Sequence, residues 1–152
     1  MSKMGNNVLP NKATCIVACS GSEARLWKST TRYGDWVEMG RLENPVATQR
    51  EAAFASDRPG RSFDSFGSGR HAMGQKHSGR EQELSRFASA IAERIDRLYA
   101  DGDFLHLVLI AEPRFLGHLR DKLTGKAADA VVLEAAKNLV KLDVDDIRKY
   151  FQ

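Results

Sequence analysis

Cysteine is scarce in this chain, which has only Cys15 and Cys19 among its 152 residues. They lie four positions apart in the run ATCIVAC, and a short apolar run of this kind favours a buried strand. Two residues at that spacing on one strand are about 13 Å apart, which is too far for a disulfide. The sequence therefore excludes a disulfide-stabilised scaffold and predicts buried thiols in a reducing cytoplasm.

Long hydrophobic runs are also missing. No stretch approaches the roughly 18 apolar residues of a membrane span. Residues 1–21 carry Pro10 and Asn11 where the apolar core of a signal peptide would lie. We therefore expect no membrane span and no export signal, and we predict a cytoplasmic protein.

Acidic residues are few where the basic residues concentrate. Residues 57–80 carry five basic and two acidic residues, and this surplus equals the formal net charge of +3 of the whole chain. The same segment, DRPGRSFDSFGSGRHAMGQKHSGR, is rich in glycine. Long loops inside a compact domain are uncommon and are usually functional or disordered. We therefore predict a long basic loop at 57–80 that meets an anionic partner.

Three short segments before this loop favour strands. Residues 13–19 form the apolar run, whereas residues 23–30 and 35–44 alternate apolar and polar side chains. Turn-forming residues separate the segments, so the pattern predicts a three-stranded antiparallel meander. Residues 1–12 have no such pattern, and we expect them to form a flexible tail.

Helical periodicity begins after the loop. Ser78 and Glu81 form a capping-box pattern, which predicts that a helix begins at Ser78 and continues to about residue 100. The apolar run 104–111 then predicts a strand covered on both faces. Pro113 fits the first turn of a second helix.

The last quarter of the chain is harder to interpret. The alanines of residues 127–141 favour a helix, whereas the β-branched pair Val131-Val132 favours a strand. Asp143 is a suitable N-cap for a last short helix. With a fifth strand at 130–138, the order of elements predicts a mixed sheet with helices packed on it.

The segment 57–73, DRPGRSFDSFGSGRHAM, resembles the bacterial host attachment family, the "protein required for attachment to host cells". The likeness continues through EQELSRFASAIAERI, LVLIAEPRFLGHLRDKL and VVLEAAKNLVKLDVDDIRKYF, and it covers the chain from about residue 13 onward. That family is in turn distantly similar to the middle domain of archaeal and eukaryotic class-I peptide release factors. The resemblance implies one ribonuclease-H-like α/β domain over 13–152. In it, three antiparallel strands are followed by alternating helices and strands in a mixed five-stranded sheet, with 130–138 as a strand.

The chemistry of the basic segment points to phosphate. Arginine binds phosphate with two parallel hydrogen bonds, and glycines let backbone N–H groups approach an anion. The predicted binding residues are Arg58, Arg61, Arg70, His71, Gly74, Gln75, Lys76 and Arg80. We interpret the chain as a non-catalytic module that binds RNA through this loop. A loop that is merely mobile and solvated is the alternative interpretation.

Release factors carry a Gly-Gly-Gln loop that leads into a long helix, and Met73-Gly74-Gln75 falls at the matching place here. The match implies docking on the ribosome or on a tRNA, although methionine replaces the first glycine. Gln75 is the one candidate catalytic residue, because a glutamine there could orient a water. Two alternatives stay open: a hydrolase of aminoacyl or peptidyl esters, and a factor that affects host attachment indirectly from inside the cell.

Metal and cofactor chemistry find little support. A two-metal nuclease needs a cluster of carboxylates, and residues 13–19 contain no acid. No Gly-Lys-Ser/Thr phosphate loop is present. We therefore expect no metal and no cofactor. Among the remaining polar and aromatic residues, we expect Trp27 and Trp36 to pair across the first hairpins and His118 to lie on a helix surface.

Overall fold

The computed structural model describes residues 8–47 and 69–151, and of residues 69–78 it describes the backbone alone. The strands are β1 (Thr14–Cys19), β2 (Glu23–Ser29), β3 (Val37–Glu43), β4 (His106–Ala111) and β5 (Val131–Ala135). The helices are α1 (Gly69–Ala100), α2 (Pro113–Lys122), α3 (Gly125–Asp129) and α4 (Val144–Arg148). A 3₁₀ turn at Lys149–Phe151 directly follows α4.

The five strands form one mixed sheet in the order β3-β2-β1-β4-β5. β1 pairs with β2, and β2 with β3, in antiparallel register, whereas β4 is parallel to both β1 and β5. Parallel neighbours need crossover connections, which α1 supplies before β4, and α2 and α3 supply before β5. The prediction of a mixed five-stranded sheet is confirmed, and β5 lies within the predicted 130–138.

The core has two layers, one on each face of the sheet. Every residue of β1 is buried because this strand is central and both of its faces are covered. Cys15, Val17 and Cys19 pack with side chains of α1 and α2, including Ile91 and Phe115. On the opposite face, the alternate residues of β1 pack with the C-terminal segment. This alternation follows from the two-residue period of a strand.

The N-terminus of α1 differs from the prediction. The helix begins at Gly69, so Ser78 lies inside it and is not an N-cap, and residues 69–80 of the predicted loop are helical. The residues between Gly69 and Ser78 include arginine, alanine, methionine, glutamine and lysine, which are good helix formers. Their propensity offsets the cost of about 1 kcal/mol that each interior glycine adds. Residues 57–68 of the predicted loop lie outside the described residues.

The expected N-terminal tail is partly a packed segment. Leu9 is 2% exposed and belongs to the core on the face of the sheet that the C-terminal segment covers. The Arg32 Nε donates a hydrogen bond of 2.7 Å to the Leu9 carbonyl, which fixes the backbone at this point. Leu9, within the segment expected to be a flexible tail, is therefore held on the sheet by apolar packing and by this hydrogen bond. Residues 1–7 lie outside the described part of the chain.

Several local predictions are confirmed. The Trp27 and Trp36 rings pack with centroids 5.6 Å apart, and both cysteines are buried and free. α1 ends before Gly102, whose φ of 79° favours glycine, and Pro113 opens α2. Within the described residues, no helix combines the length and the apolar character that crossing a bilayer requires.

Candidate functional site

The most promising site lies where β1 and β4 end. These two strands are parallel neighbours, so their carboxyl ends meet at the same edge of the sheet. After β1 the chain continues to β2 on one side of this pair, and after β4 it continues to β5 on the other side. Ligands in open α/β sheets bind where the connections from two neighbouring strands run in opposite directions. A cavity of about 200 Å³ opens there, and we call it the strand-end cavity. Its lining residues are Ser20, Gly21, Ser22, Ala47, Arg80, Glu83, Leu84, Glu112, Asn138 and Lys141.

The turn after β1 forms a rigid wall of this cavity. The Ser22 backbone N–H donates to the Ser20 Oγ at 3.2 Å, and the two hydroxyl oxygens are also 3.2 Å apart. Asn44, which directly follows β3, fixes this turn with two hydrogen bonds. Its Nδ2 donates to the Gly21 carbonyl at 2.9 Å, and its backbone N–H donates to the Ser22 carbonyl at 2.9 Å. A turn fixed at each residue can present its hydroxyls to a ligand without a large loss of conformational entropy.

Helix α1 approaches this turn closely. A Cβ on Gly21 would lie 2.5 Å from the Leu84 Cδ2, a distance that requires one of the two to move. Leu84 is 3% exposed and is packed in the core, so it has little room to move. Glycine at position 21 therefore brings the helix against the end of β1, and the residues just before Leu84 line the cavity.

Two carboxylates face the cavity from different elements. Glu83 of α1 is 7% exposed, an uncommon degree of burial for a glutamate. Glu112 directly follows β4 and is the N-cap residue of α2, although its side chain makes no capping hydrogen bond. Burial and, as a smaller cause, the charge of Glu112 raise the pKa of the Cys19 thiol at the end of β1. Glu112 is half-buried, and its carboxylate lies near the end of β1.

Basic groups lie at the mouth of the cavity. Arg80 is exposed on α1, and the Lys141 side chain is 71% exposed. The Lys141 Nζ pairs with the Glu23 Oε2 at 3.0 Å, so part of its charge is already balanced. The cavity thus combines a buried glutamate and a half-buried one with two exposed basic residues.

A second polar cluster joins α1 to α2. Glu81 forms an ion pair with Arg114, and its Oε1 lies 2.8 Å from the Nε2 of His118. The sequence predicted Glu81 as part of a capping box and His118 as a surface residue. In the structure the His118 side chain is only 19% exposed, because it packs under Glu81 and beside Phe115.

The predicted binding residues fall into three groups. Arg58 and Arg61 lie outside the described residues. Arg80 lines the strand-end cavity. The others lie on the helical backbone of the first turns of α1, and their side chains are not described: Arg70, His71, Gly74, Gln75 and Lys76. The helix therefore brings these five positions and Arg80 onto one element.

The helical register groups the basic positions further. At about 100° per residue in a regular helix, positions 70, 76, 77 and 80 fall within one sector of about 120°. The same sector contains the buried positions Leu84, Ile91 and Ile95. We call positions 70, 76, 77 and 80 the basic stripe. It occupies the same angular sector as the core-facing positions of α1 and precedes them along the helix.

The sequence interpretation missed most of the cavity. Ser20 and Ser22 were assigned to a turn alone, and the tertiary contacts that bury Glu83 leave no signal in the sequence. One signal was available, because Glu112 directly follows a strand predicted to be buried, at the end where parallel strands place their ligands. The expectations of no metal and no cofactor stay predictions.

Comparison with known proteins gives one result for the chain as a whole. The curated proteins contain no match to this sequence. A family model described as "Protein required for attachment to host cells" matches residues 15–151, which include every strand of the sheet except the first residue of β1. The chain therefore belongs to the host attachment family.

Proposed function

We propose that this protein is a non-catalytic module that binds RNA through the start of α1, with the ribosome or a tRNA as the leading candidate. The observation that carries the proposal is the basic stripe. Residues 69–80 contain Arg70, Lys76, Arg80 and two histidines, and no acidic residue. A helical segment of this composition is an electrostatic footprint for a polyanion.

The next acid along the helix is already paired with residues of α2. Glu81 is the first acidic residue after the stripe, and it is engaged by Arg114 and His118 of α2. The backbone N–H groups at the start of α1 add the positive end of a helix dipole. RNA phosphates would therefore meet positive charge along this part of the helix.

The order and pairing of the strands also support the proposal. The strand order β3-β2-β1-β4-β5, with one antiparallel and one parallel neighbour of β1, supports assignment to the ribonuclease-H-like architecture. Our reason for favouring the ribosome or a tRNA among RNA partners is the distant resemblance to release-factor middle domains that the sequence suggests. On this proposal the protein acts in the cytoplasm, and any effect on host attachment is indirect.

One observation argues against the ester hydrolase alternative. Gln75 lies on the helical backbone of α1 rather than on a flexible loop. The hydrolase alternative would have Gln75 orient a water from a flexible loop. The binding function does not need that mobility, and we therefore favour it.

Fluorescence anisotropy with a labelled single-stranded RNA tests the proposal. Arg70→Glu and Lys76→Glu are each expected to weaken binding about tenfold or more, because a charge-assisted hydrogen bond to phosphate is replaced by repulsion. Arg97→Glu makes the same charge change at the far end of the same helix, where Arg97 is exposed, and should change the affinity less than about twofold.

Co-sedimentation with ribosomes through a salt series identifies the assembly. The proposal predicts that the wild-type protein sediments with ribosomes at low salt and is released as salt rises. A protein that stays at the top of the gradient at low salt contradicts the ribosomal partner. Equal RNA binding by the wild type and the Arg70→Glu and Lys76→Glu variants contradicts the basic stripe as the binding surface.

A further inference from the structure

We infer that the strand-end cavity binds the ribose and phosphate of a ribonucleotide unit, with the carboxylates of Glu83 and Glu112 accepting hydrogen bonds from the ribose hydroxyls and Arg80 contacting the phosphate. The inference deepens the proposed RNA-binding function by naming the part of the RNA that is recognised. It makes the cavity the place where the protein distinguishes RNA from DNA.

The donors and acceptors of the cavity match a sugar phosphate. Ribose hydroxyls are hydrogen-bond donors and need acceptors, which carboxylate oxygens supply. An acidic side chain on the ribose 2′-hydroxyl is a common arrangement at the strand ends of α/β sheets. Phosphate oxygens only accept, and the guanidinium of Arg80 supplies paired donors. The hydroxyls of Ser20 and Ser22 can donate or accept in either part of the site.

The positions of these groups fit the same ligand. Glu83 and Ser20 are each 7% exposed and Glu112 is half-buried, whereas Arg80 and Lys141 are exposed. A neutral sugar can therefore enter against the carboxylates while its charged phosphate stays at the mouth. A ligand that is anionic throughout would place charge against Glu83 and Glu112, which is unfavourable in a partly desolvated site.

The size of the cavity limits what it can enclose. Its volume of about 200 Å³ is below the range of roughly 300–1,000 Å³ that is usual for pockets that enclose a whole drug-sized ligand. A sugar and its phosphate are of the right order, whereas the base would lie outside. Recognition would then depend on the RNA backbone and not on the sequence of bases, and the 2′-hydroxyl would be the discriminating group.

The strand-end cavity and the basic stripe are positioned to share one RNA strand. Arg80 belongs to both, because it lines the cavity and is the last basic residue of the stripe. A strand that follows the stripe along α1 would therefore reach the cavity at Arg80. The stripe would contribute phosphate contacts without regard to the sugar, and the cavity would contribute the choice of sugar.

NMR titration of the ¹⁵N-labelled protein with adenosine 5′-monophosphate and with its 2′-deoxy analogue tests the inference. The expected result is a set of chemical-shift changes at Gly21, Ser22 and Glu112, with the ribonucleotide binding about fivefold or more tightly. Glu112→Gln should abolish that preference, because an amide accepts less strongly than a carboxylate. Arg80→Gln should weaken both ligands equally through the phosphate. Glu38→Gln, an exposed acid on β3, is the matched control and should change neither.

The outcomes separate this inference from the proposed function. Equal affinity for the two nucleotides, or no shifts in the cavity at millimolar concentration, overturns the sugar recognition whatever long RNA does. If the monophosphate binds in the cavity with the expected preference while long RNA shows no salt-sensitive binding, the cavity assignment is supported and the basic stripe is not an RNA-binding surface. We use Glu112 for the variant because the burial of Glu83 makes its substitution a risk to folding.

Discussion

Cys15 and Cys19 lie on the central strand, and burial raises the pKa of both thiols above its ordinary range. Nearby acids add to the effect, Asp103 at Cys15 and Glu112 at Cys19. The thiolate is the reactive form, so burial and the raised pKa both disfavour reaction of these side chains in the folded protein. Each cysteine contributes a small apolar side chain that packs closely in the core.

The first prediction concerns these thiols. The native protein should not react with Ellman's reagent at pH 8, because the raised pKa keeps both thiols protonated and burial prevents access. In concentrated guanidinium chloride both thiols should react. Rapid, stoichiometric reaction of the native protein would show that β1 is not a covered central strand.

Gly21 provides the second prediction at the scale of a residue. Gly21→Ala should lower the free energy of unfolding by about 1–3 kcal/mol, because the new Cβ overlaps Leu84 and the core around it is closely packed. Gly117→Ala in α2 is the matched control, because no atom lies within 4 Å of its added Cβ. It should raise the free energy of unfolding by about 1 kcal/mol through helix propensity.

Urea unfolding of the two alanine variants measures both effects. The opposite signs are the informative feature, because the same chemical change is made at two glycines. If Gly21→Ala were as stable as the wild type, α1 could not approach the end of β1 as closely as the structure describes, and the wall of the strand-end cavity would be misplaced.

At the scale of elements, the sequence predicted the strands well and the start of α1 poorly. The buried and alternating strands carry strong periodic signals, and their order along the chain is enough to indicate a mixed sheet. The first turns of α1 carry no apolar periodicity, because the basic stripe occupies the sector that is apolar farther along the helix. A glycine at every fifth position, 69, 74 and 79, added a loop signal to the same turns.

The strand-end cavity could not be predicted for a different reason. Ser20 and Glu112 are 92 positions apart in the chain and meet only because β1 and β4 pair in parallel. That pairing, unlike a hairpin, leaves no local signal in the sequence. The basic stripe, in contrast, has a local signal, because Arg70, Lys76 and Arg80 are close in sequence.

Gly79 tests whether the start of α1 is a continuous helix. Gly79→Pro should remove one backbone hydrogen bond and break the helix at a cost of about 3 kcal/mol or more. We expect a loss of the helical circular dichroism of about ten residues, with a cooperative transition retained for the remainder. Gly79→Ala, where no atom lies within 4 Å of the added Cβ, should leave or slightly increase the helical signal. An unchanged spectrum for Gly79→Pro would contradict the continuous helix.

At the scale of the whole molecule, the C-terminal segment closes the second face of the sheet. The Arg25 Nη1 donates to the carbonyls of Val140 at 3.0 Å and Leu142 at 2.8 Å, and its guanidinium lies 4.6 Å from the centre of the Trp27 ring. The 3₁₀ turn then places Phe151 beside Trp36, with ring centroids 6.0 Å apart. The 3₁₀ turn therefore contributes Phe151 to the core.

Phe151→Ala tests this arrangement. Phe151 is 2% exposed, so its truncation should lower the free energy of unfolding by about 3–5 kcal/mol. The tryptophan emission should shift to longer wavelength as Trp36 becomes exposed to water. The neighbouring Tyr150→Ala is the control, because Tyr150 is 40% exposed and should cost less than about 1 kcal/mol. Similar losses for the two variants would contradict the burial of the C-terminus.

The salt dependence of RNA affinity tests the central claim most directly, because it counts the phosphates that the basic stripe would neutralise. Three cationic contacts, by Arg70, Lys76 and Arg80, predict that log K falls against log salt with a slope of about −2 for single-stranded RNA. Arg70→Gln should reduce the magnitude of that slope by about 0.7, whereas Arg97→Gln should leave it unchanged. A wild-type slope near zero, or an identical slope for Arg70→Gln and the wild type, would contradict the account.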